Sequence, residues 1–201
     1  MLRASETPDV PFSSTARRCQ TSGCADPGHG PGGGGYPDPV EGMQQFVSMP
    51  IFIRGAESTD MDDLQGVFQR ASLSNENDRA LLREHPEWLV LSDQRVVEGR
   101  TCVAVDDDGT VTGFATHLIS GDVAELEDLF VDPPRMREGI ATALVLDISS
   151  RLRRLGVARL EVTANPHAMA FYEHLGFVAD RIVDTPGYPA PRMSRLTRSS
   201  D

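Results

Sequence analysis

The sequence predicts an α/β fold in the order β-α-α-β-β-β-α-β-α-β-β, and three observations carry that prediction. Short runs rich in β-branched residues alternate with stretches whose apolar residues recur at helical spacing. An Asp107-Asp108-Gly109 turn joins two of the runs as a hairpin. One strand ends at Val131 before Pro133 and Pro134, which have no N–H for a ladder, and the chain re-enters helix through Gly139.

Residues 1–48 differ in kind from the rest of the chain. They hold Gly32-Gly33-Gly34-Gly35, many prolines and serines and almost no apolar periodicity, so they cannot bury enough surface to offset the entropy of ordering. They read as a disordered tail, with 49–201 as the folded domain. Met43 and Met49 stand just before the first strand, so a genuine tail and a misplaced start are both open.

Ile51–Arg54 reads as that strand, and Asp60 is placed to cap a helix with Leu64, Val67, Phe68 and Ala71 on one face. A weaker helix after Ser74-Asn75 carries Leu81 and Leu82 and ends near His85-Pro86, since a residue before proline avoids helical backbone. Arg100–Val105 and Val111–Leu118 form the hairpin, and Ser120-Gly121-Asp122 turns the chain into the strand ending at Val131, completing an antiparallel meander. The helix after Gly139 carries Ile140, Leu144, Ile148, Leu152 and Leu155 along one face and stops at Gly156. A strand over Arg159–Thr163 comes next, then a helix capped by Asn165, begun by Pro166 and reaching Leu175. Strands Phe177–Val183 and Arg192–Leu196 close the order.

Composition narrows the function classes. A chain of 201 residues, 39% hydrophobic and 24% charged, has the make-up of one globular domain with room for a tail. A net charge of -11 argues against a nucleic-acid partner, although all 19 basic residues are arginine. The 3 cysteines show no metal-type spacing: Cys19 and Cys24 lie in the polar tail and Cys102 in an apolar strand, which suits a reduced compartment. No apolar run is long enough for a membrane span and no signal-peptide pattern opens the chain, so the expected location is cytoplasmic.

The strand to Val131, the basic turn Arg135-Met136-Arg137 and the helix opened by Gly139 make an anion site, because the first helical turn leaves its N–H groups unpaired at the positive end of the dipole. A phosphate is the expected guest. Leu129-Phe130-Val131, the turn Met136-Arg137-Glu138-Gly139-Ile140-Ala141 and the later run Asn165 to Phe177 together resemble the GNAT acetyltransferase superfamily over residues 50–197. In that family the turn reads Gln/Arg-x-x-Gly-x-Gly/Ala; Gly139 and Ala141 fit it, whereas Met136 departs and leaves positive charge to its neighbours Arg135 and Arg137.

The resemblance implies a mixed, mostly antiparallel central sheet flanked by helices, acetyl-CoA as co-substrate, no metal, and N-acetylation of a primary amine by direct attack in a ternary complex. It places the cofactor along Leu129, Phe130 and Val131, over Met136, Arg137, Glu138, Gly139, Ile140, Ala141 and Thr142, and against Asn165, Ala168 and Phe171. A backbone N–H around Phe130 and Val131 would face the thioester oxygen, and Tyr172 would protonate the departing thiolate. Glu125 matches a strand glutamate that acts as base in some members, Glu127 shares its side by the period of two, and Asp128 takes the other.

Plainer roles stand beside these. Gly139 suits a simple turn, Asn165 a helix cap, Tyr172 a core aromatic and Glu125 a solvated strand; the two glutamates could also attract a cationic amine without moving a proton. His117, His167 and His174 read as packing or surface residues, and Tyr188 either lines an acceptor pocket or stiffens a loop. Cys102 lies far from the motif, so no covalent intermediate is expected. The acceptor classes left open are a small amine, an amino acid derivative, an aminoglycoside-like compound, and a peptide N-terminus or lysine. A homodimer is open too, as is a longer acyl group. The alternative function is an acyl-CoA-binding sensor without turnover.

Overall fold

Strand β1 (Phe52–Gly55) opens the computed structural model, which describes residues 51–74, 76–185 and 189–197. The tail, its cysteines and methionines, and Tyr188 lie outside the described residues. Helices α1 (Met61–Ser74), α2 (Glu76–Glu84) and α3 (Gln94–Val97) precede the meander β2 (Thr101–Val105), β3 (Val111–Ser120) and β4 (Val123–Val131). Then come α4 (Ile140–Arg154), β5 (Arg159–Thr163), α5 (Met169–His174), β6 (Val178–Asp184) and β7 (Pro189–Leu196). Among the described residues the strands form one sheet in the order β1-β2-β3-β4-β5-β7-β6, with β4–β5 parallel and the other neighbours antiparallel. The mixed, mostly antiparallel sheet expected from the sequence is therefore present.

Each face of the sheet has its own core. Leu64, Val67, Phe68 and Ala71 of α1 bury against Val103, Val105, Phe114 and Phe130, as the helical spacing required. On the other face Ile140, Leu144, Val145, Ile148 and Leu152 of α4 cover Cys102, Ala104, Ala115, Leu126 and Leu129, together with Tyr172 and Phe177. Leu155 is the exception to the predicted stripe: it falls on the residue that ends α4 and is exposed. No helix of the described residues is long and apolar enough to cross a membrane.

Three local features depart from the sequence reading. Between α2 and β2 the structure adds a 3-10 turn (Pro86–Leu89), where the Trp88 ring stacks on His85 at 4.2 Å, and the short helix α3. Asp60 does not cap α1 from outside: it lies in a 3-10 turn, buried, where its carboxylate accepts the Glu57 N–H (2.8 Å) and both arms of Arg54 (2.7 and 2.8 Å). The helix begun by Asn165 starts as a 3-10 turn (Pro166–Ala168) before α5.

Gly113 on β3 lies opposite Val131 and lets α4 approach closely. A Cβ there would meet Ile140 Cγ2 and the Phe130 carbonyl oxygen, each at 2.9 Å. Backbone cannot retreat as a flexible side chain can. Gly113→Val should therefore destabilise the fold by about 1–3 kcal/mol, the range for overpacking. Thermal unfolding checks this, and an unchanged melting temperature would show that α4 can move aside freely.

Candidate active site

The site begins where two strands part. β4 and β5 pair over Val123↔Arg159, Ala124↔Leu160 and Glu125↔Glu161, while β5 continues against β7 as far as Thr163↔Arg192. From Leu126 to Val131 the β5 side of β4 has no ladder, so a fork opens toward the C-terminal ends of both strands. Asp132 N–H donates to the Thr112 carbonyl at 2.9 Å, and the alternation of an antiparallel pair then turns the Phe130 N–H toward β3 as well. The N–H groups facing the fork are those of Leu129 and Val131. Of the two residues expected to face a thioester oxygen, Val131 is the one so directed. The Phe130 ring goes into the α1-side core, 5.0 Å from Phe68 and 5.4 Å from Phe114.

A bulge resets the side chains of β4. Thr116 pairs with Asp128 and His117 with Leu126, so Glu127 has no partner on β3. Leu126 and Leu129 consequently share one core although they are three apart, and Asp128 joins Thr101 and Thr116 on the α1 face. The strict alternation that sent Asp128 to the opposite side from Glu125 fails here. Period-two reasoning cannot register an inserted residue.

Each of these carboxylates is met by an arginine from another element. Arg95 of α3 donates to Asp128, Arg100 donates to Glu127, and Arg192 of β7 donates to both oxygens of Glu125. Burial pushes the Asp128 carboxyl upward from its ordinary pKa, with Arg95 and Thr116 pulling the other way. Arg192 also reaches Glu161, which Arg159 holds at 2.8 Å. Neither Glu161 nor Arg192 was singled out from the sequence. The period-two row Arg159, Glu161, Thr163 was the available signal for a polar sheet face.

The turn after β4 is fixed by three ion pairs. Arg70 of α1 holds Asp132 through two hydrogen bonds (2.9 and 2.8 Å), and Arg135 bridges Asp106 (3.0 Å) and Glu138 (2.7 Å). Arg137 and Gly139 have left-handed backbone, φ 71° and 85°, which folds the turn onto the start of α4. Among the described residues no acceptor meets the N–H groups from Arg137 to Thr142. Arg135 is occupied, whereas exposed Arg137 makes no ion pair with a described residue. The Met136 N–H is taken by the Pro133 carbonyl at 3.4 Å, so the expected Met136 amide is not free; the unpaired amides of Glu138, Ile140 and Ala141, with one guanidinium, form a donor set that fits a pyrophosphate.

On the far side of the fork, Asn165 is buried and caps its 3-10 turn by accepting the His167 N–H at 2.9 Å. Ala168 and Tyr172 are fully buried in the α4-side core, with the Tyr172 ring edge-on to Phe171 (5.0 Å) and Phe177 (5.4 Å). Cys102 is buried, its thiol is pushed up to about 12 by that burial, and it stays protonated at neutral pH. His117 on β3 has its pKa lowered by burial and by Arg151, while His174 lies in the last turn of α5. Among the described residues no cluster of His, Cys, Asp or Glu is arranged to hold a metal.

The chain is 40% identical over 73 residues to the [ribosomal protein bS18]-alanine N-acetyltransferase of Escherichia coli (strain K12), a stretch that is 35% of this chain and 49% of that protein. It thus spans about half the length of the curated relative it matches. In fold it is similar to the PaiA N-acetyltransferase of Thermoplasma acidophilum in complex with coenzyme A, with a TM-score of 0.59 and 22% identity over 74% of this chain and 99% of that one. The Escherichia coli ribosomal-protein-S18-alanine N-acetyltransferase structure gives 0.55 and 24%, covering 76% and 97%. At these identities the structural likenesses speak for the fold. A model of the acetyltransferase (GNAT) family matches residues 62–177, more than half of the sequence, and the chain belongs to that family.

Proposed function

We propose that the protein is an acetyl-CoA-dependent N-acetyltransferase that acts on a primary amine by direct attack in a ternary complex. The observation that carries this reading is the fork between β4 and β5 opening beside the unpaired amides of α4. The turn and first helical turn, Arg137 to Thr142, hold the pyrophosphate, Arg137 supplies its counter-charge, and Leu129 and Val131 line the pantetheine path. Asn165, Ala168 and Phe171 close the other wall. The amine nitrogen bonds to the thioester carbon, the Val131 N–H stabilises the oxygen as it gains charge, the C–S bond breaks, and Tyr172 protonates the sulfur. The amine's surplus proton leaves to solvent or to a fork carboxylate.

A peptide α-amine is the acceptor best supported. The bS18 relative is named for acetylating an alanine of a ribosomal protein. The physical argument points the same way: Glu125 and Glu127 are engaged by Arg192 and Arg100, and an α-amine, with a pKa of about 7.7–8.0, is already partly neutral near pH 7. A lysine amine would depend far more on a free base. The complete burial of Tyr172 favours a second reading, an acyl-CoA-binding sensor in which the tyrosine only packs.

A screen of amines with acetyl-CoA, following thiol release, separates the two. Release with an N-terminal peptide amine supports the enzyme. Tight acetyl-CoA binding with no release for any amine would replace it with the sensor.

A further inference from the structure

Arg192 ties three strands together at the point where β4 and β5 part. From β7 its Nη1 donates to Glu125 and to Thr163 Oγ1 (2.8 Å), its Nη2 to Glu125 Oε2 (3.1 Å) and Glu161 Oε2 (2.9 Å), and its Nε to Glu161 Oε2 (3.1 Å). Glu125 and Glu161 are register partners on adjacent parallel strands. Without a cation between them they would face each other as like charges, which repels the strands and drives one carboxylate to keep a proton. The neighbouring cations cannot substitute: Arg159 is bound to the other oxygen of Glu161, and Arg181, beside Arg192 on β6, pairs with Asp180 at 3.0 Å. Arg192 and Glu161 are nearly enclosed, with side chains 13% and 11% exposed, whereas Glu125 is 42% exposed and forms the open end of the network.

We infer that Arg192 is the positioning residue of the fork, holding Glu125 and Glu161 in one geometry so that the outer edge of Glu125 receives the acceptor amine, a role that rests on the acetyltransferase reading. Glu125 then orients and attracts the amine. Arg192 touches neither substrate and acts through the carboxylates it holds. Removing it changes how the amine is received without touching the phosphate cradle, which is built from a different turn.

The test compares the full chain with Arg192→Met and Arg192→Lys. Steady-state rates are measured against an amine that the parent acetylates, and the glutamate side chains are titrated by carboxyl-carbon NMR. In Arg192→Met, kcat/KM for the amine should fall at least tenfold, the KM for acetyl-CoA should stay within twofold, and the acid limb of the pH–rate profile should move toward neutral pH. NMR should show one glutamate of the pair titrating at higher pH than in the parent. Arg192→Lys should recover part of both, and it serves alone if the methionine variant does not fold. Unchanged amine kinetics with a lowered melting temperature would make Arg192 a structural brace and overturn the inference. If the parent acetylates no amine, the acetyltransferase reading fails separately, and an unshifted glutamate titration in the variants would still refute the role given to Arg192.

Discussion

Tyr172→Phe is expected to reduce turnover by roughly a hundredfold while leaving coenzyme A binding nearly unchanged. The substitution deletes one hydroxyl and retains a ring that is fully buried against Phe171 and Phe177, so packing should survive. What is lost is the donor that protonates the thiolate. A coenzyme A thiolate leaves slowly without help, which accounts for a residual rate. Kinetics with saturating amine, alongside calorimetric binding of coenzyme A, make the check. A variant as active as the parent would return Tyr172 to a packing role, and a loss of affinity large enough to explain the whole rate change would do the same.

Gly139→Val is expected to weaken coenzyme A binding at least tenfold, about 1.4 kcal/mol, with the fold intact by circular dichroism. A Cβ at this position would meet nothing within 4 Å, so steric clash is not the cause. The cause is backbone: φ of 85° is left-handed, and a β-branched residue resists it. Relief of that strain would rotate the amides at the start of α4 out of the cradle. Binding should also weaken as salt rises, since the charge of exposed Arg137 is screened over roughly 8–10 Å at physiological ionic strength. Unchanged affinity in the valine variant would refute the phosphate assignment.

The architecture was legible because period and punctuation agree with the fold. The apolar faces of α1 and α4, the Asp-Asp-Gly hairpin and the proline break after Val131 stand close to where the sequence put them. The turn into α4 could be read for the same reason, since a helix start and a glycine are local signals. The acceptor side was less legible because its contacts are long-range. Arg192 lies far along the chain from Glu125, and Arg95 comes from α3, a four-residue helix too short to show a period. The bulge at Glu127 was invisible as well, because it is a property of the pairing with β3 and leaves no mark in either strand alone. Asn165 shows the limit of a motif: the cap is explicit in the structure, and a contact with coenzyme A stays a proposal.

Trp88 is the single tryptophan of the chain, and its ring lies stacked on His85 in the turn between α2 and α3. That makes the protein its own optical reporter: an emission change on adding a ligand arises from the surroundings of this one indole, with no second fluorophore of its kind to disentangle.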